Sequence, residues 1–275
     1  MKTIGVYGHR GAGKKTIAAM LGIVLDNLFA ANDEVKSDIR QKTEDWKVEC
    51  LDFAKAIVYN ENNLDEYLNY SYNHIQFAAF KDAPLALIQM LTGIPFETLN
   101  SDYAKDHTYI NIDTLEWGET QDPHTVSCTA SEAYTILKDS PIGKYRKAIS
   151  MTLREYIIYF GYEIMQRLLG ANVWVNSTRV NSHDEYTGNT RGFQIFTDVK
   201  TAAEISYIRD LEGITIQVDN PNHNKGESFN GHVNNKPNYT ITIKECSPEG
   251  LAETMFNQVT DIAIELYDKY YGRTK

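Results

Sequence analysis

A glycine-rich segment near the start of the chain constrains the fold more than any other feature. It reads GHRGAGKKT from Gly8 to Thr16 and contains the pattern G-x-x-x-x-G-K. An apolar run, TIGVY at 3–7, precedes it, and apolar residues at three- and four-residue steps from Ile17 to Leu28 follow it. A strand, a glycine loop and a helix in this order bring backbone N–H groups and a helix N-terminus around a phosphate. A chance glycine-rich turn lacks this context, so the segment is interpreted as a phosphate-binding loop.

The residues of this loop have separate expected roles. Its backbone N–H groups would point at phosphate oxygens, and Lys14 would add a full charge against the outer phosphates. The general pattern has Ser or Thr after the lysine, but here Lys15 comes first and Thr16 second. Thr16 is therefore the candidate Mg²⁺ ligand, while Lys15 either contacts phosphate or faces solvent. The predicted set that binds ATP is Gly8, Gly11, Ala12, Gly13, Lys14, Lys15 and Thr16.

Alternating strand and helix patterns predict an α/β protein with a mostly parallel sheet and right-handed crossovers. Strands are predicted at Thr3–Tyr7, Trp46–Phe53, Phe193–Thr197, Ile214–Val218 and Tyr239–Ile243. Helices are predicted at about 84–91, 151–170, 201–212 and 248–270. The expected architecture is a P-loop kinase-like three-layer fold with a five-stranded sheet and a largely helical insertion. The predicted division is a core at 1–59 and 151–275, with a lid-like loop at 181–192, around an acceptor-binding insertion at 60–150.

Charge and composition narrow the classes of partner. The chain has 275 residues and a formal net charge of −10, which argues weakly against a general nucleic-acid binder. No apolar run approaches the roughly 18–20 residues that span a bilayer, and the N-terminus fits a buried strand better than a signal peptide. A small-molecule nucleotide substrate and a cytoplasmic location are expected, without a membrane partner. A homodimer is left open.

A second group of motifs lies between residues 152 and 204. It consists of Thr152 and Arg154, Gly161 and Glu163, Trp174 and Val175, Asp198 to Lys200, and Glu204. Together with the loop, this order and spacing resemble the deoxynucleoside monophosphate kinases of large bacteriophages. Phe53-Ala54 after the expected second strand, and Leu91-Thr92-Gly93, also fit that family. The resemblance covers about two thirds of the chain, in pieces.

The resemblance implies transfer of the γ-phosphoryl group of ATP to a deoxynucleoside monophosphate, with Mg²⁺ present. The implied substrate-binding residues are Ala54, Lys105, Arg154, Arg167, Lys200 and Glu204. Two positions depart from the family. Lys200 replaces an arginine, which keeps the charge but loses the bidentate fork, and Val58 stands where a lysine is expected shortly after Phe-Ala.

Reasoning from the residues leaves alternatives at three positions. Asp198 ends a predicted strand, where it can hold the Mg²⁺ shell or the acceptor, or instead cap the next helix. Arg154 suits bidentate binding of the acceptor phosphate, or is a surface ion-pair residue. Arg167 lies thirteen positions further along, which is roughly 220° around an α-helix, so both arginines reach one spot only if the helix bends or ends. The predicted catalytic residues are Lys14, Arg154 and Asp198, with Thr16 and Asp198 as metal ligands.

Arg179 and Arg191 bracket the loop at 181–192 and are candidates for closing over the triphosphate, although a solvated loop fits equally well. Two other functions remain open. One is a P-loop kinase with a different acceptor, such as a modified DNA base or a small cofactor precursor. The other is a nucleotide-binding regulatory protein without catalysis. This alternative stays open because Lys15, Lys200 and Val58 depart from the residues expected of a kinase of this family.

Overall fold

The structure of the protein is a computed structural model. It describes residues 1–9, 11–33, 39–59, 64, 68, 72, 74–121, 125–139, 149–184, 191–221, 236–243 and 248–272. For residues 31–33, 39–46, 59, 126, 136–139, 162, 179–184 and 248–249 the description covers the backbone alone.

The described elements follow one another in chain order. The first half of the chain contains β1 (Lys2–Gly8), α1 (Lys14–Asp33), α2 (Ile39–Tyr59), β2 (Ile75–Ala78), α3 (Asp82–Thr92), α4 (Phe96–Asn100), α5 (Asp102–His107), β3 (Tyr109–Asn111), β4 (Trp117–Gly118), β5 (Val126–Ser127) and α6 (Ala130–Asp139). The second half contains β6 (Ile149–Thr152), α7 (Leu153–Ile158), a π-helical segment (Tyr159–Gln166), α8 (Arg167–Leu169), α9 (Val173–Asp184), β7 (Phe193–Val199), α10 (Ala202–Asp210), β8 (Ile214–Asp219), β9 (Tyr239–Thr242) and α11 (Pro248–Tyr270).

The chain divides into two compact units. The first is Met1–Phe80 with Tyr186–Lys275, and the second is Lys81–Glu185. The predicted boundaries, after residues 59 and 150, differ from these, and residues 151–185 lie in the second unit rather than in the core. The first unit contains a five-stranded sheet in the order β2-β7-β1-β8-β9, and every pair of neighbours is parallel. This confirms the expected α/β fold with five parallel strands.

Helices cover both faces of this sheet. Ile4 and Val6 of β1 point into a core with residues of α1, α2 and α11, while an added Cβ at Gly5, between them, would meet Ile208 of α10. Because successive residues of a strand point to opposite faces, α10 lies on the face opposite to α1. A sheet buried on both sides explains why β1 and β7 read as continuous apolar runs rather than alternating ones.

For the five-stranded sheet, one strand prediction is wrong and one strand was missed. Residues 46–53 belong to helix α2, where Cys50, Ala54 and Ile57 are buried at helical spacing against the core. The fifth strand is β2, which reads IQFA and pairs with β7 at the edge of the sheet. A four-residue, partly buried edge strand in a stretch rich in Tyr and Asn has too weak an alternation to stand out.

The second unit combines helices α3 to α9 with a four-stranded sheet that the sequence pattern did not predict. The strand order is β4-β3-β6-β5; β3 is antiparallel to both neighbours, and β5 and β6 are parallel. These strands have two to four residues, which is too short for periodicity to reveal. Ile110 and Met151 place the sheet against a core formed with Leu85, Ile88 and Tyr156.

A π-helical segment interrupts the helix that follows β6. The eight residues Tyr159–Gln166 separate α7 from α8, and within them the carbonyl of Gly161 accepts a 2.9 Å hydrogen bond from the Trp174 indole N–H. The Gly161 and Trp174 motifs are therefore in direct contact.

Three described helices have 20 or more residues, namely α1, α2 and α11. They pack against one another and bury one side under the five-stranded sheet. Within the described ranges, no helix has both the length and the apolar character needed to cross a membrane.

Candidate functional site

The loop that joins β1 to α1 lies at the carboxyl edge of the five-stranded sheet. β1 ends at Gly8, next to the ends of β7 and β8, because all three strands run in the same direction. From this edge the chain passes into α1 on one face after β1 and into α10 on the other face after β7. In open parallel sheets, ligands bind outside the carboxyl ends of strands where such a switch of face occurs.

Glycine is required at both ends of the loop. A Cβ at Gly8 would lie 2.4 Å from the carbonyl oxygen of Val218 on the neighbouring strand, so no side chain fits there. Gly13 has φ of +86°, a left-handed conformation that favours glycine. The first turn of α1 then closes with a 3.0 Å hydrogen bond from the Ile17 N–H to the Gly13 carbonyl.

Lys14 lies at the centre of this loop. Its ammonium donates hydrogen bonds to the carbonyls of Gly8, at 3.0 Å, and His9, at 2.7 Å. Burial, with a further contribution from the positive charge of Lys200, lowers the pKa of Lys14 to about 8, while Asp198 acts in the opposite direction. A cation held at a cost in solvation, with neutral carbonyls as hydrogen-bond acceptors, gains stability from a nearby anion.

The other loop residues surround Lys14 in different ways. Ala12 is buried, and its N–H donates to the His9 carbonyl within the turn. Lys15 and Thr16 are half-buried in the first turn of α1, and Gly11 is exposed. The residues predicted to bind ATP therefore lie together around the start of α1.

Asp198 lies at the end of β7 and is 6% exposed. Its Oδ1 accepts a 2.9 Å hydrogen bond from the backbone N–H of Phe80, just beyond β2. The alternative that Asp198 caps the following helix is wrong, because the N-cap of α10 is Thr201.

Glu204 completes that cap rather than facing an open site. Its carboxylate accepts from the N–H groups of Lys200 and Thr201, and the Thr201 hydroxyl accepts from the Glu204 N–H, which is a capping box. Burial, followed by the charge of Asp198, raises the pKa of Glu204 to about 7, although these hydrogen bonds oppose the shift. The signal Thr-x-x-Glu is visible in the sequence as a helix start.

Ala54 has no surface for a ligand. It lies inside α2 and is 1% exposed in the core of the first unit. The expectation that it binds substrate depended on a strand at 46–53, and that strand does not exist.

Three further substrate candidates, Lys105, Arg154 and Arg167, lie in the second unit, where their charges are paired, whereas Lys200 is exposed in the first unit between β7 and α10. Arg154 contacts both oxygens of Asp106 through Nε and Nη2, at 2.5 and 2.9 Å, and its Nη2 is 3.6 Å from Asp102. Lys105 is 3.3 Å from the same Asp102 and donates to the Asn100 carbonyl. These carboxylates raise the pKa of Arg154, chiefly through the Asp106 hydrogen bond.

Arg167 points elsewhere in the second unit. It pairs with Glu163 at 2.6 Å, and its guanidinium lies over the Tyr134 ring at 4.1 Å from the centroid. The π-helical segment changes the angle expected for an unbroken α-helix, yet Arg154 and Arg167 still have different partners.

The lid prediction does not fit the position of Arg191. Arg191 precedes β7, and Phe193 is in register with Lys2, so it lies at the amino edge of the sheet, where its guanidinium covers the Phe29 ring. The seven residues of β1 separate this edge from the glycine loop by roughly 20 Å. Arg179 lies on α9, and its side chain is outside the described part of the structure. Positions 185–190 of the proposed lid also lie outside the described residues.

One feature of the site was missed from the sequence. The contact between Asp198 and Phe80 joins residues 118 positions apart, and no local pattern indicates it.

The fold and the loop define a class: an α/β protein whose first parallel strand leads through a glycine-rich loop, with a half-buried lysine, into a helix. No protein-family model matches the chain. No curated protein matches it either.

Proposed function

We propose that this protein is a nucleotide kinase that transfers the γ-phosphoryl group of ATP to a deoxynucleoside monophosphate. One observation carries the proposal: Lys14 is half-buried in the glycine loop at the carboxyl edge of the sheet and donates to the Gly8 and His9 carbonyls. Triphosphate oxygens are the acceptors that a lysine ammonium and the backbone N–H groups of a helix start accommodate together.

The lowered pKa of Lys14 supports the same role. Its ammonium has lost hydration on burial, and the positive charge of Lys200 adds repulsion. A triphosphate in the loop would restore the lost interaction, so this arrangement favours binding of a polyanion.

Arg154 is the candidate for the acceptor phosphate. Its guanidinium holds the Asp106 carboxylate with two donors, and the same fork geometry matches a phosphate. Lys105 shares Asp102 with Arg154, so the two predicted acceptor residues belong to one charged cluster in the second unit.

Mg²⁺ is compatible with the oxygen donors near the loop. Mg²⁺ is commonly held by one or two protein oxygens together with substrate phosphates and water, and Thr16 offers a hydroxyl on the first turn of α1. Asp198 is the poorer candidate, because its Oδ1 already accepts the Phe80 N–H. When bound, the metal would neutralise charge on the phosphate oxygens.

The chemistry needs little from the protein beyond positioning and charge neutralisation. An oxygen of the acceptor phosphate attacks the γ-phosphorus, and the bond from that phosphorus to the bridging oxygen of the donor breaks. ADP leaves with the electron pair, and the product is a deoxynucleoside diphosphate. Lys14 is the residue proposed to balance the charge that accumulates on the donor side.

The test is phosphoryl transfer from ATP to each of the four deoxynucleoside monophosphates, with products measured by mass. The proposal expects at least one diphosphate product with wild type and none with Lys14→Met. Transfer to another acceptor alone would favour the alternative kinase, and tight binding of ATP without transfer to any acceptor would favour a regulatory protein.

A further inference from the structure

The chain leaves the first unit at Phe80, and this point is held by both its backbone and its side chain. Phe80 is 2% exposed, and its N–H donates to Oδ1 of Asp198 in a buried hydrogen bond. The next residue, Lys81, begins the second unit. The acceptor of this bond belongs to β7, so the turn after β2 is connected to the carboxyl end of its neighbouring strand.

Aromatic packing fixes the same residue. The Phe80 ring stacks on Phe196 of β7, with centroids 4.5 Å apart and planes at 15°. Tyr207 of α10 meets both rings edge-on, at 5.9 and 6.2 Å. The rings determine where Phe80 lies, and the Asp198 bond determines how its peptide is oriented.

We propose that Asp198 is a positioning residue, which holds the turn after β2 in place through the Phe80 N–H, and that it acts on the reaction through this turn rather than as a metal ligand. A buried donor that loses its acceptor carries the full cost of desolvation, so the orientation of this peptide depends on one side-chain oxygen. The bond thereby holds Phe80, the last residue of this part of the first unit.

The proposal depends on the proposed function for its kinetic consequence alone, because the hydrogen bond can be tested in the absence of any nucleotide. Asp198→Asn keeps a carbonyl oxygen that can accept from Phe80 and removes the charge. Asp198→Ala removes the acceptor. The two variants therefore separate the hydrogen bond from the negative charge.

The direct readout is amide hydrogen exchange at Phe80. We expect Asp198→Ala to exchange at least about tenfold faster than wild type at this amide, and Asp198→Asn to stay within about threefold. Asn238→Ala is the matched control, because Asn238 also accepts a backbone N–H, that of Thr215, with a side-chain oxygen at 2.9 Å in the same unit. It should speed exchange at Thr215 and leave Phe80 unchanged. Phe80→Leu keeps the N–H and removes the ring stacking, so its residue-80 amide should retain most of its protection.

The kinetic readout uses the kinase assay with a titration of Mg²⁺. We expect Asp198→Asn to keep kcat within about fivefold of wild type with an unchanged Mg²⁺ dependence, while Asp198→Ala loses at least about tenfold. Equal exchange at Phe80 in wild type and Asp198→Ala overturns the proposal. A loss in Asp198→Asn as large as in Asp198→Ala, or one that high Mg²⁺ rescues, overturns it too, in favour of a metal ligand. If wild type transfers no phosphate while the exchange pattern holds, the proposed function fails and the structural role of Asp198 stands.

Discussion

Each unit contains a group of charged residues that includes both cations and carboxylates. The two groups differ in what surrounds the cation and in the direction in which its pKa is shifted. At the carboxyl edge of the first sheet, Lys14 is half-buried with two carbonyls as hydrogen-bond acceptors, and its pKa falls to about 8. In the second unit, Arg154 lies against the carboxylates of Asp106 and Asp102, and its pKa rises. The first cation gains from an added anion. The second already has one, which a ligand would have to displace.

This difference shows that the type of a residue alone does not identify it as a binding residue. Lys14 and Arg154 were both predicted as catalytic from the sequence, but their surroundings make them unequal as candidates. The burial of Lys14 beside a glycine loop indicates a site prepared for an anion. The paired charges of Arg154 are also what an ordinary surface ion pair shows. The predictions below test this contrast.

The largest expected effect separates Lys14 from Arg154. Lys14→Met should weaken binding of ATP with Mg²⁺ by at least about a hundredfold, because it removes the buried charge beside the phosphates. Arg154→Ala should leave this affinity within about threefold. Isothermal titration calorimetry measures both, and Lys15→Met is the control for simple loss of one positive charge at the loop. If the Lys14 and Arg154 variants lose equal affinity for ATP, the proposed difference between the two groups is wrong.

Next in size is the effect of a methyl group at the start of the loop. Gly8→Ala should lower the free energy of unfolding by about 2 kcal/mol, because the new Cβ would overlap the Val218 carbonyl on β8. Gly118→Ala is the matched control in the second unit, since a Cβ there meets no atom within 4 Å. Urea denaturation compares the two variants. A Gly8 variant as stable as wild type would mean that the loop tolerates another shape.

The pH dependence of ATP binding should report Lys14 directly. Bound phosphate favours the ammonium form and raises its pKa, so affinity is full below about pH 8 and falls as pH rises above it, by up to about tenfold for each unit. The affinity of Lys14→Arg should stay nearly flat from pH 7 to 9, because a guanidinium keeps its charge. An affinity of wild type that is equally flat over this range would contradict the lowered pKa.

Two capping boxes, one in each unit, should respond to pH with opposite signs. The pKa of Glu204 is raised to about 7, so the stability linked to its protonation is full below its ordinary value near 4.5 and is lost as pH rises through 7. Relative to wild type, Glu204→Gln should therefore gain about 3 kcal/mol of unfolding free energy between pH 4.5 and pH 8.

Glu132 of α6 is the matched case. Its hydrogen bonds from Thr129 lower its pKa, so its contribution to stability is present above its ordinary pKa and is lost as pH falls. Glu132→Gln should consequently lose stability relative to wild type as pH rises. Thermal unfolding between pH 4 and 8 measures the stability of both variants relative to wild type. If this relative stability changes with pH in the same direction in both, burial does not control the pKa of Glu204.

The smallest effect is expected from the charged cluster in the second unit. Asp106→Asn should change the free energy of unfolding by less than about 1 kcal/mol, because exposed ion pairs contribute little, and the change should shrink in 1 M salt. Chemical denaturation at low and high salt measures it. A loss of 3 kcal/mol or more would show that Arg154 and Asp106 form a buried structural pair, which would remove Arg154 as an acceptor candidate.

Short-range features of the fold and site were predictable, and features that depend on strand order were not. The β1–loop–α1 unit and the last helix were correctly placed, because their signals lie within about twenty neighbouring residues. The assignment of 46–53 as a strand failed, because a short apolar run fits either element and the burial of Cys50 and Ala54 under α1 and α11 decided for a helix. Arg191 was assigned to a lid from its loop, but its place follows from the direction of β7.

The amino-acid sequence is enough to place the glycine loop between strand and helix, the alternation of strands and helices that indicates an α/β fold, and the Thr-x-x-Glu signal of a helix cap at Thr201 and Glu204. Each depends on residues that are close along the chain, where sterics and local hydrogen bonds act. The tertiary structure alone decided that Asp198 meets Phe80, that the pKa of Lys14 is lowered, and that Arg191 lies far from the loop. These depend on which strands become neighbours and on how much water is removed, and both are set when distant segments pack together.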